Sequence, residues 1–414
     1  RKVKLENFAV SFAEKAFRKP LLGMIQKQIV LESFSAGSDL DTALRQSLLR
    51  TLTSPLFLYH EVEKKTTQNL PPSVIANRLS FGFWDSIPDQ NLLNAAQTGK
   101  LVTDNQIRQQ AERMLNDSRT KAKVLEFLLH WLHIENGPDV VKDHKHFSEF
   151  SKEAAVAMRT SLLLFLDDVV WGTDSDYRRF FTEDTVFLND SIAPLFHIHL
   201  NENSPFQPVR IDDGQRVGII THPYMMSVLS YADSTSPIHR GVFLARNILG
   251  NVLQPPVNAI APLSADVHPD LTTRERISLQ TKASACQTCH AMINPLGFVL
   301  EEYDALGRLR TTEHRDGHDM PINATGNYQP RTGKEAVFYG GRELGHYLAT
   351  NRDASETFVQ SLFHALAKQP LRAWGSDALG ELTDRFISKN YSIRKLIVEI
   401  TLVMTKPTTS TLKD

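Results

Sequence analysis

Cysteine is scarce in this sequence: there are two among 414 residues, which is too few for a disulfide framework. Charge of one sign is not in excess either, because 46 Lys and Arg face 47 Asp and Glu and leave a formal net charge of −1. This balance gives no reason to expect a nucleic-acid partner. No apolar run reaches the roughly 18 residues that a membrane-spanning helix needs, so we expect no transmembrane segment. The 41% hydrophobic content indicates a globular protein.

A signal peptide is not visible, and the sequence begins at Arg1 rather than Met. We therefore expect either a processed chain or a part of a longer protein, and both are compatible with export. The length predicts about two to four domains of ordinary size.

Apolar residues recur at three- and four-residue spacing along most of the chain, for example in 8–16 and 40–52, which predicts helices. Short β-like runs broken by Gly, Asn and Pro between 309 and 338 predict a small hairpin region. The predicted fold class is therefore mainly α, as several consecutive helical modules with a small β hairpin region. We place the modules at 1–68 (N-terminal helical), 69–200 (second helical), 213–332 (both cysteines and the β region) and 334–414 (C-terminal helical).

Several local signals are specific. Asp89 precedes an apolar run and predicts a helix N-cap, as Ser236 does before a helix that we expect to end at Gly250. The segment 201–216 contains Pro, Gly and Asp and predicts a linker. The proline-rich segment 254–270 predicts an extended crossing.

Both cysteines fall in the stretch Cys-Gln-Thr-Cys-His that ends at His290, and 271–284 predicts a helix that leads straight into it. Cys286 and Cys289 are three residues apart, so they share one face of a helical turn. That spacing lets two thiols add across the two vinyl groups at one haem edge, and His290 can then ligate the iron. The residues that follow offer backbone carbonyls near Asn294 to hold the other ring nitrogen of His290.

Three other interpretations of this stretch compete with a cytochrome c-like haem segment. A redox dithiol favours a strand–helix context in which the motif opens the helix. A zinc clip needs further ligands, and His290 is a poor third ligand because its adjacency to Cys289 strains tetrahedral geometry. A chance match is the third, since a pattern with three fixed positions has limited specificity.

The stretch is also part of a longer block. The sequence CQTCHAMINPLGFVLEEYDALGRLRTTE at 286–313 closely resembles one found in a large family of exported bacterial proteins, abundant in planctomycetes, whose domains carry unknown-function labels. The segments RLSFGFWDSIPDQNLL at 78–93, GIITHPYMMS at 218–227 and TSPIHRG at 235–241 resemble other blocks of these planctomycete cytochrome c-associated proteins. With helical segments at both ends, the resemblance covers nearly the whole chain.

The resemblance implies one covalent haem c and a location in the periplasm or at the cell surface. Longer members of the family often carry an extra cytochrome-like domain upstream, so the implied partner is such a domain or a separate redox protein. The reaction of the family is not settled, and we assign no catalytic residue.

A low-spin haem needs a sixth iron ligand, whereas an open site suits peroxide or oxygen chemistry. His222 is the first candidate because it matches the Thr-His segment of the family, and a capping or core histidine is the equal alternative. For Met225 and Met226 core packing is favoured over ligation. For His314 and His318 a solvated loop is favoured over a metal site.

Three arginines are candidates for pairing with haem propionates, because a guanidinium group suits bidentate carboxylate binding. They are Arg240, Arg308 and Arg310. The alternative for Arg308 and Arg310 is an ordinary surface salt bridge, and Arg240 is equally suited to bracing a module interface.

Three functions follow. The first is electron transfer by a single covalent haem to or from a protein partner or adjoining domain. The second is a haem-dependent peroxidase or oxidase, since a mere carrier does not need so long a chain before its haem. The third is an interaction scaffold with a structural haem or dithiol. Enzyme status, oligomeric state and redox partner do not follow from the sequence.

Overall fold

A computed structural model describes residues 1–21, 23–35, 39–59, 69–135, 140–211, 215–253, 268, 270–315 and 317–408. Helices account for most of them, and none of the described helices is long and apolar enough to cross a membrane. In chain order they are α1 (Lys2–Phe17), α2 (Met24–Ser35), α3 (Leu40–Thr53), α4 (Pro55–Leu58), α5 (Pro72–Trp84), α6 (Gln90–Gln97), α7 (Asp104–Leu115), α8 (Ser118–Trp131), α9 (Lys152–Trp171), α10 (Arg179–Thr182), α11 (Pro223–Val228), α12 (Pro237–Phe243), α13 (Thr273–Gln280), α14 (Ser284–Phe298), α15 (Gly341–Thr350), α16 (Arg352–Ala367), α17 (Ala378–Ser388) and α18 (Ile393–Met404). The strands are β1 (Thr185–Leu188), β2 (Gln207–Arg210), β3 (Thr312–Arg315), β4 (His318–Pro321), β5 (Thr325–Tyr328) and β6 (Ala336–Tyr339).

The mainly helical prediction is confirmed, and so are its local signals. Asp89 caps α6, because its Oδ1 accepts the backbone N–H of Leu92 at 2.9 Å. Ser236 caps α12 by accepting the backbone N–H of His239 at 3.3 Å. After α12 the chain continues through a wider π turn and then reaches Gly250, whose φ of +68° is in the left-handed region that favours glycine.

The described strands form three two-stranded antiparallel sheets, β1–β2, β3–β4 and β5–β6. The last two confirm the hairpin region expected after the cysteines. The linker predicted at 201–216 is wrong for Gln207–Arg210, which pairs with β1 through Val209 opposite Val186. So short a strand, with a proline inside it, shows no readable alternation of apolar and polar residues. In the predicted crossing 254–270, residues 254–267 and 269 lie outside the described residues.

The chain divides into two compact units, each built from segments that are distant in sequence. The first comprises Arg1–Val124, Leu362–Leu382 and Lys395–Asp414, and the second comprises Leu125–Ser361 and Thr383–Arg394. The first contains an N-terminal core cluster that includes α1 side chains such as Ala9, Ala13 and Phe17. The division into four modules stays a prediction.

The second unit has an aromatic core. The ring centroid of Phe358 lies 4.7 Å from that of Tyr177 and 5.1 Å from that of Trp131. All three side chains are buried, and aromatic pairs at such distances stabilise beyond the area that they remove from water. Helices α12, α13 and α14 and the hairpins β3–β4 and β5–β6 belong to this unit.

Candidate functional site

The cysteine motif opens a new helix. We predicted that one helix leads straight into the motif, but α13 ends at Gln280 and α14 begins at Ser284. The break lies at Ala283, whose ψ of 140° is extended. A motif at a helix start is the position that redox dithiols use. The parallel sheet that usually accompanies such a dithiol is not among the described strands, which pair only in antiparallel fashion.

The two thiols and the imidazole occupy the first turns of α14. Cys286 and Cys289 are free and partly exposed, and His290 is also partly exposed. Because they are three positions apart in the sequence, the two cysteines lie on one face of the helix. Neither thiol nor the Nε2 atom of His290 has a hydrogen-bond partner in the part of the chain that the structure describes. These three groups are therefore available to one ligand.

One ring nitrogen of His290 contacts a side chain four residues further along α14. Its Nδ1 atom lies 2.9 Å from the Oδ1 atom of Asn294. The Nδ2 atom of Asn294 donates to the hydroxyl of Thr281 at 2.8 Å, and that hydroxyl donates to the carbonyl of Ile277 at 2.8 Å. We expected a backbone carbonyl in this role, but carbonyls inside a helix point along its axis and away from neighbouring side chains.

The later turns of α14 pack closely against α12 and β5 at three glycines, one of which is in α14 itself. A Cβ atom added to Gly241 of α12 would lie 2.0 Å from the carbonyl oxygen of Ile293, and one added to Gly297 would lie 1.9 Å from that of Pro237. Gly326 of β5 makes the same kind of approach to α14. Backbones this close leave no room for a side chain, so α14 has one fixed position against α12 and β5.

Arg240 is completely buried and holds the turn that follows α14. Its Nη1 donates to the carbonyls of Leu300 and Tyr303, both at 2.7 Å, and its Nη2 donates to that of Asp304 at 2.9 Å. It also pairs with the buried Glu301 at 3.4 Å. Burial lowers the pKa of Arg240 to about 10 and raises the pKa of Glu301 above its ordinary value.

The other two candidate arginines are paired with carboxylates of the protein. Arg308 donates from Nε to Asp304 at 2.7 Å and also contacts Glu149. Arg310 lies 3.4 Å from a carboxylate oxygen of Glu301. Burial opposes the charged form of Arg308, but the two acidic neighbours raise its pKa on balance. Propionate binding by Arg240, Arg308 and Arg310 stays a prediction.

His222, the predicted sixth ligand, lies in the protein interior. The backbone N–H of Tyr224 donates to its Nδ1 at 3.2 Å, so His222 caps α11. Its Nε2 lies 3.3 Å from the hydroxyl of Ser161. Burial, followed by the nearby charge of Arg216, lowers the pKa of His222 to about 3. Both ring nitrogens therefore have partners in this arrangement.

Met225 and Met226 are also buried. His314 lies on the exposed β3–β4 hairpin, 3.0 Å from Asp319. Among the described residues, no group of three or more His, Cys, Asp or Glu side chains is arranged to hold a metal ion.

We expect His222→Asn to reduce the acid sensitivity of folding. The unfolded chain binds the His222 proton near the ordinary pKa of 6.5, whereas the folded chain does so near 3. The contribution of His222 to the free energy of unfolding is therefore fully present above about pH 6.5 and is lost as the pH falls towards 3. At pH 4 the loss amounts to about 3 kcal/mol. Asn keeps an oxygen that caps α11 but does not titrate.

Urea unfolding of the protein at intervals from about pH 7 to about pH 4 measures this difference. The same substitution at the exposed His318 serves as the control. Equal slopes of unfolding free energy against pH for the natural chain and His222→Asn would contradict the expectation.

Two family models match the chain. Residues 70–198 match "PSD4: Protein of unknown function (DUF1592)", and residues 216–313 match "PSCyt3: Protein of unknown function (DUF1588)". Together they cover a little more than half of the chain, and the second contains the whole cysteine block. No curated protein and no solved structure matches. The fold and the two matches define a mainly helical protein with cytochrome c-associated domains. The chain belongs to the planctomycete cytochrome c-associated family, as the sequence blocks implied.

Proposed function

We propose that the chain carries one covalent haem c, which Cys286 and Cys289 would hold through thioether bonds and whose iron His290 would ligate. The observation that supports this most strongly is the arrangement at the start of α14. Two free thiols share one helical face beside an imidazole that Asn294 holds at 2.9 Å, and the other ring nitrogen has no partner among the described residues. A haem c needs these groups: two thiols and one orientated imidazole.

The residues fit this group chemically as well. Each thiol adds across one vinyl group: sulfur bonds to one vinyl carbon, the thiol proton goes to the other, and no oxidant is needed. When bound, the haem supplies one-electron chemistry. The protein contributes a fixed helix, because Gly241 and Gly297 admit only one position of α14 against α12. It also contributes an imidazole whose orientation is set before the haem arrives.

We propose electron transfer to or from a protein partner or an adjoining cytochrome domain as the function. Such attachment normally occurs outside the cytoplasm, where the cysteines are kept reduced until they react, so we place the protein in the periplasm or at the cell surface. A second candidate is a haem enzyme with an open distal site. It is favoured by His222, whose ring nitrogens contact Tyr224 and Ser161 rather than pointing to a free space.

We expect covalent haem when the chain is produced together with haem-maturation machinery. After denaturation the Soret absorbance should stay with the polypeptide of the natural chain, because thioether bonds survive unfolding. It should separate from the polypeptide of Cys286→Ser/Cys289→Ser. Serine is nearly isosteric with cysteine, and both sites are partly exposed, so this double variant should fold normally and serves as the matched control.

Before denaturation, a sharp α-band in the reduced spectrum indicates a sixth ligand and favours the carrier, while a spectrum of an open site favours the enzyme. Loss of all haem from the natural chain on denaturation, under conditions in which a known c-type cytochrome is loaded, contradicts the proposal.

A further inference from the structure

We infer that Asn294 and Thr281 are positioning residues that fix the tautomer of His290, so that its Nε2 atom presents a lone pair to the iron. The inference rests on the proposed function for its purpose. Its geometry stands on the protein alone, since the contacts join only side chains and backbone of α13 and α14.

The direction of each hydrogen bond follows from the backbone carbonyl of Ile277, where this series of contacts ends. The carbonyl of Ile277 can only accept, so the Thr281 hydroxyl, 2.8 Å away, must donate to it. The oxygen of Thr281 is then the acceptor for Asn294 at 2.8 Å, which requires the NH2 group of Asn294 on that side. The amide oxygen of Asn294 is consequently the atom that faces His290.

The same reasoning continues to the ring. An amide oxygen is an acceptor only, so the Nδ1 atom of His290, 2.9 Å away, must carry the proton. In a neutral imidazole the other nitrogen then has the free lone pair. A ligand that binds metal through Nε2 needs this tautomer, whereas free histidine in water prefers the proton on Nε2. The two side chains therefore supply a preference that the ring lacks on its own.

Burial keeps the side chains of Asn294 and Thr281 in fixed positions. The side chains of Asn294 and Thr281 are buried, with 7% and 3% exposure, while His290 is partly exposed. Water cannot easily replace either buried partner, and reversing the amide of Asn294 would place its NH2 group against Nδ1–H and its oxygen against an acceptor. The α13–α14 break at Ala283 brings Thr281 to this position, because it separates Thr281 from the axis of α14.

The first test needs no haem. Nitrogen-15 NMR of the histidine ring nitrogens in the reduced, haem-free chain should show His290 with its proton on Nδ1. In Asn294→Leu, which keeps the shape but removes the acceptor, the proton should move to Nε2. In Asn294→Asp, whose carboxylate still accepts, it should stay on Nδ1. Thr281→Val, a smaller change that releases the amide, should give a mixture and serves if Asn294→Leu does not fold.

The second test uses the haem-loaded protein. Loss of the partner of a ligating histidine typically weakens metal binding 10–100-fold. The concentration of free imidazole that displaces His290 from the iron should therefore fall by about that factor in Asn294→Leu and not in Asn294→Asp.

The outcomes separate the two proposals. An Nδ1 proton that persists in both Asn294→Leu and Thr281→Val overturns this inference and leaves covalent haem attachment untouched. Failure of the natural chain to take up haem, with a tautomer that still responds to Asn294, overturns the proposed function and leaves the positioning role in place.

Discussion

Replacing Arg240 with methionine is expected to destabilise the haem-free protein by about 3–5 kcal/mol, because it removes the fully buried partner of Glu301, which then keeps only the partly exposed Arg310 as a charged partner. Glu301, with 3% exposure, is the partner left behind. Three carbonyls after α14 lose their donor at the same time. Urea unfolding of protein made without haem gives the free energy directly.

Arg310→Met is the matched control for this prediction. Arg310 lies at the same 3.4 Å distance from Glu301 but is partly exposed, so its loss should cost about 1 kcal/mol or less. If Arg240→Met leaves the haem-free protein unchanged and weakens only the haem-loaded form, Arg240 binds a propionate as the sequence suggested, and the bracing role described here is wrong.

Gly297→Ala is expected to destabilise the second unit by at least about 3 kcal/mol, the upper part of the range for overpacked cores. The new Cβ atom would lie 1.9 Å from the backbone oxygen of Pro237. A side chain at the contact could rotate away, whereas a backbone oxygen moves only with α12. Gly241→Ala meets the oxygen of Ile293 at 2.0 Å and should behave in the same way.

The control for the glycine prediction is Gly317→Ala in the β3–β4 turn. Gly317 has φ +77° and open space around its Cα atom, so alanine there costs only the left-handed conformation, about 1 kcal/mol. Thermal or urea unfolding compares the three variants. Equal losses at Gly297 and Gly317 would show that α12 yields easily, contrary to the packing argument.

Much of the helical framework follows from local sequence alone. The helices at 8–16 and 40–52 have the apolar spacing of amphipathic helices, and Asp89 and Ser236 act at their own helix ends within three residues. The Gly, Asn and Pro residues that break the short β-like runs after the motif predict the hairpins. Strand β2 could not be predicted from local sequence, because it depends on pairing with β1 across an intervening segment.

The candidate site, like the fold, has parts that local sequence predicts and parts that it does not. The candidates Cys286, Cys289 and His290 are found from their spacing, because they lie within about one helical turn of one another. The contact between Asn294 and His290 could be predicted, because a residue four positions after His290 shares its helix face. The contribution of Thr281 depends on how α13 turns into α14, which no local pattern specifies. The partners of Arg240 depend likewise on the path of the chain after α14.

Helix α14 is not uniform along its length. Its last turns are buried and fixed by glycine contacts, while the turns with Cys286 and Cys289 are partly exposed, and Pro295 cannot donate to the carbonyl four residues before it. Amide hydrogens in the cysteine turns should therefore exchange with solvent through local opening, and those beyond Ile293 only when the whole unit unfolds. Under the proposed haem attachment, this segment would loosen and present both thiols while the fold around it stays intact. The turns that carry the cysteines and the turns that are fixed by packing are different halves of one helix.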